Sequence, residues 1–174
     1  LYDNGDYYTW SVRASDDSGS TYGNWTETRI VNISSEIIVS MPNDGINFGE
    51  LTIDESKNTT TGNPNPFTLQ NDGNCLLNVT INASQLFNTQ PSTSDYYKYK
   101  IDNKTGEQGS FDWLLSATTW QQMPIGASPE IAIADLNWSD STDICEIDLL
   151  VTAPHTEQPG SRNTTVYLVA SLSE

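Results

Sequence analysis

Apolar and polar residues alternate along most of the chain, in short runs separated by clusters of Gly, Pro, Asn and Asp. Alternation with a period of two is typical of strands that bury one face, and helical periodicity is almost absent. The runs recur at intervals of roughly 8–15 residues, which is typical of antiparallel sandwiches. The pattern therefore predicts an all-β protein, an antiparallel β-sandwich preceded by a β-hairpin extension.

Within residues 36–174 the pattern predicts the strands of the sandwich and two hairpins. The turn Asn71-Asp72-Gly73-Asn74 predicts a hairpin within 67–84, and the loop 155–162 predicts a second hairpin near the end of the chain. The other predicted strands span 36–42, 46–53, 95–101, 110–115, 118–125 and 130–138. The predicted core is Ile38, Phe48, Leu51, Ile53, Phe67, Leu69, Leu77, Val79, Ile81, Trp113, Ile131, Ile133, Ile147, Leu149, Val151, Val166, Leu168 and Ala170.

Residues 1–35 predict a hairpin of their own. Its first strand places Tyr8, Trp10 and Val12 on one face, and residues 24–33 form the return strand. A two-stranded hairpin is marginal alone in water. Burying its aromatic residues and a valine removes on the order of 400 Å² from water, which contributes about 10 kcal/mol as an upper bound. The residues that we expect to form an assembly interface are Tyr8, Trp10, Val12, Trp25 and Ile30.

Something must cover that face, because an open apolar face of this size promotes aggregation. The candidates are the chain's own sandwich, a segment upstream of Leu1, or a neighbouring molecule that gains strands by β-strand addition. The chain starts at Leu1 rather than Met, and we expect it to be a processed or excerpted piece of a longer protein.

The charge balance limits the classes of molecule that this chain can bind. The 174 residues carry 23 acidic and 7 basic side chains, a net charge of −16. Nucleic acid is excluded as a partner because phosphate binding needs Lys and Arg, and an anionic membrane would repel the chain. The sequence contains no run long enough to span a membrane.

Sugar acceptors are unusually dense. Eight Asn-x-Ser/Thr triplets occur, whereas this composition gives about 3–4 by chance. They favour an exported, N-glycosylated protein, and in that compartment the two cysteines, Cys75 and Cys145, are predicted to form a disulfide rather than two buried thiols. The acceptors are Asn24, Asn32, Asn58, Asn78, Asn82, Asn103, Asn137 and Asn163.

Residues that could support catalysis or metal binding are sparse. His155 is the only histidine, and it lies in a predicted loop; no nucleophile motif or phosphate-binding loop occurs. We expect no enzyme activity and no cofactor besides covalent glycans. Weak Ca²⁺ candidates are the carboxylates of acidic turns, namely Asp16, Asp17, Asp140 and Asp143.

Two resemblances accompany these patterns. The residues Tyr8-x-Trp10-x-Val12-Arg13-Ala14 and Gly23-x-Trp25-Thr26-Glu27 resemble the last two strands of a fibronectin type III domain. Residues 37–171, through "INFGELTIDES", "LNVTINAS" and "PGSRNTTVYLVAS", resemble the Ig-like sandwiches of prokaryotic surface proteins, including TasA-type fibre subunits. This second resemblance implies that the sandwich is Ig-like or jelly-roll-like. It also implies a structural or adhesive role without catalytic residues.

The sequence therefore predicts a structural subunit of an extracellular, glycosylated surface filament or layer of a prokaryote, specifically an archaeon. Its copies join head to tail by strand complementation. Other surface proteins or polysaccharide are further expected partners. The alternative is an adhesin or carbohydrate-binding module of a larger surface protein, in which aromatic side chains stack on sugars. The aromatic residues considered for stacking are Tyr96, Tyr97, Tyr99, Trp113, Trp120 and Trp138.

Overall fold

The computed structural model describes residues 7–16, 18–19, 21–126 and 128–173, and divides the chain into two compact units, Leu1–Glu36 and Ile37–Glu174. Within these described ranges no helix is long and apolar enough to cross a membrane.

The first unit is a two-stranded antiparallel ribbon. Strand β1 (Tyr7–Trp10) pairs with β2 (Arg29–Asn32), with Tyr8 opposite Val31. The ladder continues irregularly toward the turn, where Thr26 N donates to Val12 O at 2.8 Å and Gly23 N donates to Ala14 O at 2.9 Å. The predicted hairpin is thus present.

The second unit contains two antiparallel sheets. Their strands are β3 (Val39–Asn43), β4 (Ser56–Asn58), β5 (Phe67–Asn71), β6 (Leu77–Ala83), β7 (Tyr97–Asn103), β8 (Gln121–Gln122), β9 (Glu130–Leu136), β10 (Ile144–Thr152) and β11 (Val166–Leu172). The larger sheet has the order β3-β5-β10-β7-β8, with β4 also paired to β10. The smaller sheet has the order β11-β6-β9.

The core lies between these sheets and follows the alternation in the sequence. Every second residue of β6 is buried, from Leu77 to Ala83, while Asn78, Thr80 and Asn82 point outward. Strand β10 supplies Ile147, Leu149 and Val151 from the larger sheet. The predicted all-β sandwich is confirmed.

Both predicted hairpins of the second unit are wrong. Strand β5 belongs to the larger sheet and β6 to the smaller one, so the turn after Asn71 crosses between sheets. The buried Asn71 amide holds the crossing, because its Nδ2 donates to Cys75 O at 2.8 Å and to Leu136 O at 3.0 Å. The turn residues fit either geometry, and burial of flanking side chains on both sheets selects the crossover.

The loop 155–162 also crosses between sheets, because β10 and β11 lie in different sheets. Glu157 fastens this loop by accepting hydrogen bonds from Asn88 N, from Thr89 N and Oγ1, and from Arg162 Nε at 2.6 Å. The connection is therefore held by a polar network rather than by a ladder between its flanking strands.

Two predicted strands do not form. Residues 46–53 and 110–115 are irregular, although Phe48 and Leu51 still pack against the core. The residues predicted as core but found exposed are Ile38, Ile53, Trp113 and Ile131.

Candidate assembly and glycosylation surfaces

The residues predicted to form the assembly interface occupy both faces of the ribbon. Strand pleating puts Tyr8 and Trp10 on one face. Ile30 pairs with Thr9 and so points to the opposite face. Trp25 joins Arg13, whose guanidinium carbon lies 4.7 Å from the Trp25 ring centroid.

Arg13 organises one side of the ribbon. Its guanidinium also lies 3.8 Å from the ring centroid of Tyr22, so that one cation bridges two aromatic rings. Cation–π contacts at exposed sites contribute about 0.5–1 kcal/mol each. Tyr22 and Trp25 nevertheless stay half or more exposed, so both rings remain accessible.

The ribbon displays large apolar side chains. Trp10, Val12, Trp25 and Ile30 are each more than half exposed, with Trp25 at 61% and Ile30 at 63%. Among the described residues of this unit, β1 and β2 are the only strands. In the described part of this unit, each strand pairs with the other one and with no further strand.

The edges of the larger sheet are poor templates for an added strand. Strand β3 contains Pro42 and an irregular register, and both features block regular pairing. At the other edge, β8 has 2 residues. Strand β4, which extends the sheet beside β10, has 3.

The smaller sheet has one covered and one open edge. Residues 110–117 run along β9, where Asp112 N donates to Ala134 O and Ala117 N donates to Ala132 O, both at 2.9 Å. Strand β11, in contrast, has 7 residues and pairs only with β6. Its outer edge is the longest uninterrupted edge in the described sandwich.

None of the eight sugar acceptors is buried. Asn24, Asn32 and Asn163 are exposed, and the other five are partly exposed. Two of the five use the amide nitrogen that would carry the sugar: Asn82 Nδ2 donates to Gly126 O at 2.5 Å, and Asn137 Nδ2 donates to Thr142 Oγ1 at 3.0 Å. The accessibility of the acceptors is compatible with glycosylation.

A polar cleft lies on the larger sheet. Its volume is about 540 Å³, and Thr59, Thr60, Lys104 and Glu146 are among its lining residues. Lys104 Nζ lies 3.1 Å from Glu146 Oε1. Since Thr59 and Lys104 directly follow acceptor asparagines, two acceptor triplets border one cleft.

Beside this cleft the sheet buries an ion pair. Asp148, with a side chain 3% exposed, lies 3.1 Å from Lys100 Nζ and accepts a hydrogen bond from Thr59 Oγ1 at 2.6 Å. Lys100 also contacts Asp102 at 2.5 Å. Burial lowers the pKa of Lys100, but these two carboxylates more than offset it, and its net pKa is raised.

The structure describes three of the four Ca²⁺ candidates. Asp17 lies outside the described residues. Asp16 Oδ1 accepts a hydrogen bond from Ser18 Oγ, and the buried Asp143 accepts one from Gln70 Nε2 at 3.1 Å. Among described residues, no group of three or more His, Cys, Asp or Glu side chains is placed to hold a metal ion.

Cys75 and Cys145 are both buried in one core cluster. Burial raises the pKa of the Cys145 thiol to about 12, and its Sγ lies 3.8 Å from Leu69 O. The predicted disulfide stays a prediction.

The aromatic residues considered for sugar stacking divide between core and surface. Tyr97 and Tyr99 are buried in the core. Trp113, which the sequence placed in the core, is exposed and stacks on Phe111, with ring centroids 5.8 Å apart. His155 is exposed, and its Nδ1 lies 2.9 Å from Asp54 Oδ2.

Comparisons with protein-family models, curated proteins and solved structures found no match for this chain. A functional assignment for this chain therefore rests on the surfaces described above. The sequence analysis did not predict the open edge of β11. The feature that could have indicated it is that the last predicted strand contains no charged residue and no proline. It also missed the Lys100–Asp148 pair, which alternating charges on two predicted strands could have indicated.

Proposed function

We propose that this chain is a structural subunit of an extracellular, N-glycosylated surface filament or layer of an archaeon. Copies join head to tail when the N-terminal ribbon of one subunit adds strands to the sandwich of the next. A head-to-tail contact of this kind produces an open filament. The role is non-enzymatic.

The observation that carries this proposal is the ribbon itself. Its described part consists of two strands and bears four large apolar side chains that are more than half exposed. A ribbon of this kind is marginal alone in water. Pairing with another sheet adds main-chain hydrogen bonds along the ribbon and removes apolar surface from water.

The acceptors and the charge support an extracellular, hydrated assembly. Eight accessible acceptor asparagines are spread over both units. The net charge of −16 keeps separate filaments apart by repulsion.

The experiment compares the glycosylated full chain with a variant that lacks residues 1–35. We expect the full chain to form fibres visible by electron microscopy, and the shortened chain to remain folded and monomeric, because its core lies within Ile37–Glu174. Polymers that persist unchanged after the deletion would refute the proposal.

One feature favours the alternative of an adhesin or carbohydrate-binding module. The polar cleft beside Lys104 and Glu146 offers hydroxyl, ammonium and carboxylate groups to a sugar. This alternative predicts that the full chain stays monomeric at high concentration and binds polysaccharide in isothermal titration calorimetry, and that Glu146→Ala weakens that binding.

A further inference from the structure

We infer that the outer edge of β11 is the acceptor site, and that it pairs with β1 of a second copy of this chain. The inference rests on the proposed function and deepens it by naming both strands of the contact.

The register of β11 identifies the groups that would form the contact. Ser84 N donates to Thr165 O at 2.9 Å, and Ser173 N donates to Leu76 O at 3.0 Å. Odd-numbered residues therefore form the hydrogen-bonded pairs with β6, and the even-numbered residues direct their N–H and C=O groups away from it. Leu168 and Ala170 lie at the centre of this outward row.

No described residue donates to or accepts from the outward groups of Leu168 and Ala170. The core-facing side chains of Val166, Leu168 and Ala170 pack against the core yet stay partly exposed. An added strand would satisfy the row of backbone groups and complete the burial of these side chains.

Strand β11 also lacks the features that protect natural edge strands. Such edges carry Lys, Pro, bulges or very short strands. The sequence of β11, VYLVASL, contains no charged residue and no proline, and its seven pairs with β6 keep one unbroken register. Every other described edge of the sandwich is short, irregular or covered.

The proposed occupant matches this edge in chemistry. Residues 7–12, YYTWSV, are uncharged and rich in aromatic and β-branched residues, whereas β2 contains Arg29 and the sugar acceptor Asn32. Cross-strand pairs of aromatic with β-branched residues stabilise sheets. Strand β1 is therefore the better donor.

The sugar acceptors favour the edge over the adjacent sheet face. Asn78 and Asn82 stand on the outer face of the central strand β6, and β11 carries no acceptor. Glycans on those two residues would block a partner from stacking on the face while leaving the edge open.

The test measures the critical concentration for polymerisation of full-length variants by sedimentation. Ala170→Pro removes an outward N–H without removing a hydrogen bond to β6. Val169→Lys adds a charge to the open edge strand, and Ile131→Lys is its matched control. Val169 and Ile131 are 60% and 57% exposed and lie on the two strands that flank β6, but the edge of β9 is covered.

We expect Ala170→Pro and Val169→Lys to raise the critical concentration about tenfold or more, and Ile131→Lys to change it by less than about twofold.

Wild-type critical concentrations for the first two variants would overturn the inference while leaving the filament intact. Equal effects of the two lysines would also overturn it, since the face would then be the contact. If Ala170→Pro unfolds, the lysine pair decides. A wild-type chain that stays monomeric would refute the proposed function itself, and this inference with it.

Discussion

At the scale of single residues, two carboxylates of the sandwich are held by partners that lie far away in the sequence. Glu157 fastens a crossover loop, and Asp148 is buried beside Lys100. The partners of both carboxylates include residues more than 40 positions away in the chain. Neither pairing follows from local spacing, and each makes a separate prediction about stability.

The first prediction concerns acid. Hydrogen bonds from Thr89, together with those from Arg162 and Asn88, lower the pKa of Glu157 from its ordinary 4.5 to about 2. A carboxylate whose pKa is lower in the folded state than in the unfolded state stabilises the fold at pH values above its unfolded-state pKa. This contribution is lost as the pH falls from about 4.5 to about 2. Glu157→Gln should therefore lower the Tm at pH 7 and lose less further stability in that window.

Thermal unfolding followed by circular dichroism across this pH range checks the prediction. Glu50→Gln, which neutralises an exposed carboxylate, serves as the control. Parallel pH profiles for wild type and Glu157→Gln would contradict it.

The second prediction concerns the buried ion pair. Lys100→Met leaves Asp148 charged and buried, which should destabilise the fold by about 3 kcal/mol. The double variant Lys100→Met, Asp148→Asn should recover most of that loss, because a neutral amide needs no counter-ion. Urea unfolding measures both, and a double variant no more stable than Lys100→Met would show that the charge of Asp148 is not the cause.

At the scale of elements, alternation along the chain predicted where most strands lie but not which sheet each one joins. Strands β6, β9, β10 and β11 fall inside predicted strands, and β7 overlaps the strand predicted at 95–101 but ends two residues later. The two hairpin predictions failed because a short polar turn can connect two strands either within one sheet or across a sandwich. The buried contacts that select the crossover, such as Asn71 with Leu136, are not local in sequence.

The third prediction concerns that crossover. Asn71→Leu removes the donors to two buried carbonyl oxygens, those of Cys75 and Leu136, and should cost about 2–4 kcal/mol. Asn88→Leu, at an exposed loop position, is the matched control and should change stability by less than about 0.5 kcal/mol. Equal urea midpoints for the two variants would exclude a structural role for the Asn71 amide.

The predicted Cys75–Cys145 disulfide is tested separately. Denatured, unreduced protein from an exporting host should gain no mass on treatment with a thiol-alkylating reagent. A gain of two alkyl groups would show that both cysteines remain thiols in the mature protein.

At the scale of the whole molecule, charge opposes the assembly that apolar surface favours. Each copy carries a net charge of −16, while β11 and residues 7–12 carry no charge. Screening shortens the reach of repulsion from about 10 Å at 0.1 M salt to about 3 Å at 1 M. The critical concentration should therefore fall as salt rises, which light scattering can follow. An assembly held by ion pairs between subunits would show the opposite trend.

The most direct measurement of the central claim mixes the full chain with the variant that lacks residues 1–35. The shortened subunit keeps the β11 edge but has no ribbon to donate, so it should occupy one end of a growing fibre and stop extension there. Electron microscopy should show a mean fibre length that falls steadily as the fraction of shortened subunit rises. Fibre lengths that do not change with this fraction would contradict assembly by donation of the N-terminal ribbon.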